Sequence, residues 1–548
     1  MIKLKLISSL GKIFIDTGSE SELVLTEALK TEKFSFQLEI KNDNDDITSE
    51  YFVYVKGIDE KNISLYKIES VPSVLATNTD SDDYHLKKES GLYPDLLLPL
   101  RQGEGFVCPP FRSTGIWFTI SSLEAGIYPT SITVKEKSSG ESEDIGFELN
   151  VINAEPVEDA LRVTNWLYHD CIAQKHRVKV FSKRYYEVFA KYLENYTAHG
   201  NNMIMVPLFT PPLNVLYGNN RPTVQLAGVK REKGQYVFDF SKLKEFLDFV
   251  RSYGIKYFEF SHLFSQWGAK YAPKIVVDIN GVKRDEFGWK TSSLSKKYIS
   301  FLKEFLPCLM NFLRKENILD KSYFHLSDEP NVNTVARYES ICKEIKGCFE
   351  GRPLIDALSD YDFYGKKLVD IPVVSINKTE RFNNNGADFW VYYCWEHTRE
   401  YVSNRFMAMP SLRERIIGVQ LYYNDVHGFL HWGFNYYNTA FSEREIDPFS
   451  VTDCDKKFPS GDAFLVYPDV KNGGAFTSVR NEVFLEAIQD YRALLTAERY
   501  YGKVAVKNVI KKHLKVDGFK VYERSDEAFN NFRKELNAMI ENAGKTEK

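Results

Sequence analysis

The strongest constraint on this chain is a change of grammar near residue 155. Before it, short segments alternate apolar and polar residues with period two, as in FSFQLEI (34–40), YFVYV (51–55), GIWFTI (115–120), SITV (131–134) and FELNV (147–151). Turn signals such as EAGIYP (124–129) separate them. Successive side chains on a strand face opposite sides, so this pattern predicts half-buried strands and, from their number, an antiparallel β-sandwich over 1–155.

After the linker AEPVED (154–159) the period changes. Strand-like runs at 161–168, 202–209, 256–261, 323–327, 354–358, 372–376, 389–395 and 428–435 alternate with amphipathic helical patterns at 182–199, 241–253 and 294–316. Eight strands with intervening helices predict a (β/α)8 TIM-like barrel over 156–500, irregular after the fifth and sixth strands, where the helices are short or missing. A doubly wound open sheet is the alternative, but no Gly-rich phosphate loop follows the first strand. Helical patterns return at 478–500 and 525–542; the first closes the barrel and residues 501–548 form a C-terminal helical extension.

Composition narrows the function. The 71 basic and 75 acidic residues leave a net charge of -4 with no basic block, which disfavours a nucleic-acid partner. Lysines interrupt the apolar residues at the start of the chain, unlike a secretory signal, and no apolar run approaches the ~18 residues of a membrane span. Seven cysteines, an odd number without a C-x-x-C pair, fit free thiols in a reducing compartment, so a cytoplasmic location is expected.

In a barrel of this kind the loops after the strands build the active site. The candidate rim residues are Asn165, Trp166, Tyr168, His169 and Asp170 after the first strand, and FTPPL (209–213) after the second. His262, Gln266 and Trp267 follow the third strand, and Asp328 and Glu329 the fourth. Tyr392, Tyr393, Trp395, Glu396 and His397 follow the seventh, and His431, Trp432 and Asn435 the eighth. Four of these six ends carry a tryptophan, a repetition that favours a cleft for sugar rings over core packing alone. A metal at His169, Asp170, His262, His397 and His431 is disfavoured, since no H-E-x-x-H or similar spacing supports it. G-x-S-x-G is absent around Ser327, so acyl transfer is unsupported. No cofactor and no metal are expected, and the expected partner is a carbohydrate substrate.

The apolar run YFHLS (323–327) delivers two adjacent carboxylates to Pro330. Asp328 could simply cap a helix starting near Asn331. As catalysts, neighbours on a strand share a pocket only where the strand ends, and Pro330 is expected to hold Glu329 extended there. In a two-carboxylate retaining glycosidase the acid and nucleophile flank the scissile bond about 5–5.5 Å apart, which adjacency suits poorly. A 2-acetamido sugar supplies its own nucleophile, the acetamido oxygen. It needs only one acid/base, Glu329, and one ionised group to orient the amide, Asp328. Adjacent acids also push each other's pKa values apart.

These segments together resemble glycoside hydrolase family 123. The resemblance is carried by GLYPDLLLP (91–99), NWLYHDC (165–171), FTPPL (209–213), HLFSQWGAK (262–270), FHLSDEP (324–330), SNRF (403–406), HWGFNY (431–436), GDAFLVYP (461–468) and SVRNE (478–482). It implies a β-sandwich followed by a (β/α)8 barrel, and β-N-acetylgalactosaminidase activity with retention through an oxazolinium intermediate. The family's Asp-Glu pair falls on Asp328 and Glu329, and a Tyr for the acetamido carbonyl falls to Tyr392 or Tyr393. Two alternatives stay open: a two-carboxylate glycosidase pairing Glu329 with Glu396 or Asp170, and a non-catalytic glycan-binding protein.

Overall fold

The computed structural model describes residues 2–43, 49–158 and 161–546. Met1, Asp159 of the expected linker and the last two residues of the expected extension lie outside them.

The N-terminal region is two facing five-stranded sheets. One runs Ile2–Ser8, Phe34–Asn42, Arg112–Ile120, Ile63–Ser73, Gly91–Leu100, and the other Glu27–Leu29, Ser142–Ile152, Gly126–Glu136, Ser49–Lys56, Phe106–Cys108. All neighbours are antiparallel except Glu27–Leu29, which pairs parallel with Ser142–Ile152. Phe36 stacks on Phe118 at 4.7 Å in the core between the sheets. The other face of the first sheet is buried too: Ile7, Ile13 and Trp117 pack on Val479 and Val483 of the C-terminal half. Three Arg–carboxylate pairs cross the same divide, each with two hydrogen bonds: Arg480–Asp95 (2.8 and 2.9 Å), Arg413–Asp82 (2.7 and 2.8 Å) and Arg533–Glu32 (both 2.7 Å).

The C-terminal half holds the eight expected strands, all parallel, but in two sheets. The first (Arg162–Asn165) pairs with the eighth (Gly428–His431), followed in order by the seventh (Trp390–Tyr392), sixth (Val373–Ser375) and fifth (Ala357–Leu358). The second (Met203–Val206), third (Tyr257–Phe260) and fourth (Ser322–Phe324) form the other sheet. The sheets meet at two seams. A parallel bridge from Phe324 to Leu354 links the fourth strand to the approach of the fifth. Between the first and second, Asn202 does most of the joining: its backbone N–H donates to Val163 O at 3.2 Å, while its side chain accepts from Val163 N at 3.0 Å and donates to Leu161 O at 2.7 Å. The uninterrupted ladder of an ideal (β/α)8 barrel is therefore not what forms; strand number and direction are as expected, and the seams are not.

Helices Lys183–Ala198 and Lys296–Lys315 start at Ser182 and Ser295, whose side chains accept the N–H groups of Tyr185 and Tyr298. After the fifth and sixth strands the helices shrink to Tyr361–Gly365 and Glu380–Asn384. The long loops after the second and third strands each carry a hairpin, Gly228–Glu232 with Gln235–Asp239 and Ile275–Ile279 with Val282–Phe287, joined in one four-stranded sheet. Helix Val479–Leu514 bends at Gly502, where φ is +76°.

Candidate active site

The fourth strand stops at Phe324 because a side chain takes over its hydrogen bonding. Asp356, on the approach to the fifth strand, accepts the backbone N–H groups of Leu326 (3.0 Å) and Ser327 (3.1 Å), together with the Tyr338 hydroxyl and His325 Nδ1. Beyond this clamp, Asp328 O accepts from Trp267 N (2.8 Å) and Glu329 N donates to Ala357 O (3.0 Å). Glu329 then adopts φ +44°, a left-handed conformation, instead of the extended one expected before proline. The fixed bonds on both sides override a local preference of about 1–2 kcal/mol. This turn lets neighbouring carboxylates reach one cavity, which a continuing strand would forbid. The helix cap is Asn331, whose side chain accepts from Asn333 N in a capping box with Thr334, so Asp328 is released from that duty.

Asp328 and Glu329 open onto a cavity of about 150 Å³ whose walls include Trp166, Trp267, Trp395, Trp432, Phe441 and Phe458. They are its only carboxylates among the described residues. Gln266 Nε2 donates to Asp328 Oδ2 at 2.7 Å, and its orientation is fixed because Asn214 N donates to Gln266 Oε1 at 2.7 Å. The Tyr392 hydroxyl donates to Glu329 Oε1 at 2.9 Å. Trp432 Nε1 donates to the buried Asp462 at 2.8 Å, and Trp395 lies against Phe458 with ring centroids 5.6 Å apart.

Burial, and next the charge of Glu329, push the Asp328 carboxyl up to about 8. Burial raises Glu329 as well, opposed by the Tyr392 hydrogen bond and reinforced by Glu396. The pair therefore retains a proton at neutral pH, because two desolvated carboxylates side by side resist losing both. Beneath it His325 lies between Asp356 and Glu259. Burial alone would favour its neutral form, but these two carboxylates outweigh that and raise it to about 9, so it is an imidazolium.

Trp166, Gln266, Trp267, Tyr392, Trp395 and Trp432 line the cavity with the acids, as the strand ends implied. The other six candidates lie elsewhere, each with a packing role. Asn165 is buried between Asn201 and Arg405. His169 sits on the helix His169–Lys175 with Nδ1 2.6 Å from the Tyr185 hydroxyl, among Phe181, Phe189 and Phe246. Asp170 is paired through both oxygens with buried Arg221 (2.8 and 2.7 Å). Asn435 holds both backbone groups of Tyr168. Tyr393 faces the helical layer against Phe429, one residue out of phase with Tyr392. His262 is stacked on His325 at 4.3 Å below the cavity floor. Of the alternative second carboxylates, Asp170 is held by Arg221 and Glu396 is exposed outside the cavity wall.

The histidines weighed as metal ligands do not converge: His397 is bonded to Ser375 and Cys394, and His431 to Arg405. A different trio, His262, His325 and Asp356, brings ligand atoms within 4.8 Å of one another. It does not fit a cation, because Asp356 already accepts four hydrogen bonds, which occupy the lone pairs a cation would need. Sequence reasoning missed Asn214, Phe441, Phe458 and Asp356. The first three lie in segments without periodicity; Asp356, inside the apolar run LIDAL (354–358), left a readable signal, since a carboxylate there needs buried donors.

Comparison with known proteins places this geometry. Residues 166–497 match the family described as glycoside hydrolase 123, catalytic domain. Among solved structures, a family 123 glycoside hydrolase from Clostridium perfringens, studied for glycolipid glycan hydrolysis, superposes with a TM-score of 0.74 at 14% identity, covering 100% of this chain and 98% of that one. The β-glucuronidase 3 of Bacteroides uniformis aligns with 88% of this chain and 51% of that one at 10% identity, but its TM-score of 0.32 carries no argument. No curated protein matches the sequence. No helix among the described residues is long and apolar enough to cross a membrane. With the family match spanning most of the chain and the acid pair at its centre, this protein belongs to glycoside hydrolase family 123.

Proposed function

We propose that the protein removes β-linked N-acetylgalactosamine, or another 2-acetamido sugar, by a retaining, substrate-assisted mechanism. The observation that carries this is the pairing of adjacent Asp328 and Glu329 in a small aromatic cavity with no other carboxylate among its described lining residues. A two-carboxylate mechanism needs a second acid across the bond, and Asp170 and Glu396 are not placed to be one. The acetamido oxygen attacks the anomeric carbon while Glu329 protonates the leaving oxygen; Glu329 then draws a proton from the water that opens the oxazolinium. Asp328 orients the acetamido N–H. That donor favours its ionised form and so directs the shared proton to Glu329. Tyr392, which lines the cavity and whose hydroxyl bonds Glu329, exchanges that bond for one to the acetamido carbonyl.

The eight strands act in this reading as one irregular (β/α)8 barrel over 156–500, supported by a sandwich over 1–155 and an extension over 501–548. The odd, scattered set of seven cysteines favours a cytoplasmic location.

A panel of aryl glycosides tests the sugar. Hydrolysis is expected with β-GalNAc, with the β-anomer of the product appearing first by NMR, and strong inhibition by a thiazoline mimic of the oxazolinium. Equal turnover of galactosides lacking the acetamido group, without thiazoline inhibition, would sink the proposal. A pH profile tests the shared proton: kcat/KM should fall as pH rises past about 8, where the pair loses it. Tyr392→Phe removes a bond that lowers the Glu329 pKa, so it should shift this alkaline limb upward while reducing kcat roughly tenfold or more.

A further inference from the structure

Outside the cavity, three aromatic rings touch one another on the rim. Tyr217 lies 5.1 Å from Tyr271 and 5.7 Å from Trp289, and Tyr271 lies 6.0 Å from Trp289 (ring centroids). Nothing in the catalytic site uses them. They come from two separate loops, after the second and third strands, and both loops are fastened. Trp289 Nε1 donates to Asn219 O at 2.6 Å, tying one loop to the other. Tyr271 N donates to Ser265 Oγ at 3.2 Å, and Ser265 N to Tyr271 O at 2.9 Å. Yet Tyr217 remains 65% exposed. A ring cluster built across two anchored loops and left open to water is a stacking surface rather than a fragment of core.

Its position says which part of a substrate it faces. Asn214 and Trp267 both line the cavity. Tyr217 is three residues beyond Asn214, at most roughly 11 Å along the chain, and Tyr271 four beyond Trp267, at most roughly 14 Å. Trp267 also stands beside Glu329, whose carboxyl it helps to stabilise in the ionised form. A general acid must touch the leaving-group oxygen. The chain leaving the scissile bond on the acid's side therefore emerges past Trp267 and towards Tyr217, Tyr271 and Trp289. Asn219 and Asn220, which follow Tyr217 in the same loop, are exposed and carry amides that suit sugar hydroxyls.

We propose that Tyr217, Tyr271 and Trp289 form a subsite for the leaving group, stacking on an oligosaccharide of at least two sugar units. This rests on the reading of Glu329 as the acid. The test uses the full chain with Tyr217→Ala and Trp289→Ala and two substrates of the same terminal sugar, a nitrophenyl glycoside and a neutral oligosaccharide. For each variant kcat/KM on the oligosaccharide should fall about tenfold, the loss of one good stacking contact, and on the nitrophenyl glycoside less than twofold. Equal losses on both substrates, or none on either, overturn the proposal. An arm independent of turnover uses the free leaving oligosaccharide in calorimetry: wild type binds it and Tyr217→Ala binds it about tenfold more weakly. Equal affinity overturns the subsite even if the glycosidase reading stands, whereas weakened binding without turnover of either substrate would fault only the assigned reaction.

Discussion

Glu329→Gln should lower kcat/KM on a glycan with a poor leaving group by about 10²–10⁴-fold, the usual worth of a positioned general acid. On an aryl glycoside whose phenol leaves without help, the first step should fall much less, so the ratio between the two substrates identifies the role. The structure explains why Gln is the informative change. It preserves the acceptor for the Tyr392 hydroxyl and the size of the side chain while removing the proton. It also removes a neighbouring charge from Asp328, which is then free to ionise closer to the ordinary range. Identical losses on good and poor leaving groups would rule Glu329 out as the acid.

Asp356→Asn should be the most damaging change that never touches substrate. It turns an acceptor of four bonds into a group that presents an amide N–H₂ to other donors, and leaves the His325 cation with Glu259 as its remaining carboxylate. Burial raises the Asp356 carboxyl, opposed by His325, Tyr338 and a backbone N–H, and breaking such a buried pair costs about 3–5 kcal/mol. Chemical denaturation should show that loss. It should also show a change in pH dependence. The folded pKa of His325 is raised from 6.5 to about 9, so its stabilisation is complete below 6.5 and disappears as pH rises through 9. In the variant this slope should flatten. Because one of the two clamped N–H groups, of Leu326 or Ser327, then faces the amide N–H₂ in place of a carboxylate oxygen, kcat should fall with little change in KM; an unchanged kcat would show that the backbone before Asp328 needs no such support.

What the sequence made legible follows from where each signal resides. The acid pair could be found because its meaning is local: an apolar run, two carboxylates and a proline. Tyr392 and Tyr393 could not be separated, since choosing between them requires knowing which face of the seventh strand looks inward. His169 and Asp170 looked like rim residues because the first strand was drawn too long; it ends at Asn165 and a helix begins at His169. Helix Ser411–Tyr423 escaped notice for the opposite reason. Eleven of its residues, from Ser411 to Tyr422, are buried, so it lacks the one-sided apolar stripe by which a surface helix is recognised. The seams between the two parallel sheets were invisible because one of them depends on an amide side chain, Asn202, and not on any pattern of hydrophobicity.

The three buried arginine pairs across the divide make the β-rich half something other than an accessory. Each arginine is fixed through two bonds to a carboxylate supplied from the N-terminal region, and the planar fork of a guanidinium has no equivalent in lysine. Modularity ends there: a different sandwich grafted onto this catalytic half would take from Arg413 and Arg480 the carboxylates that hold them and leave Arg533 with Asp490 alone, unless it brought an acid to each.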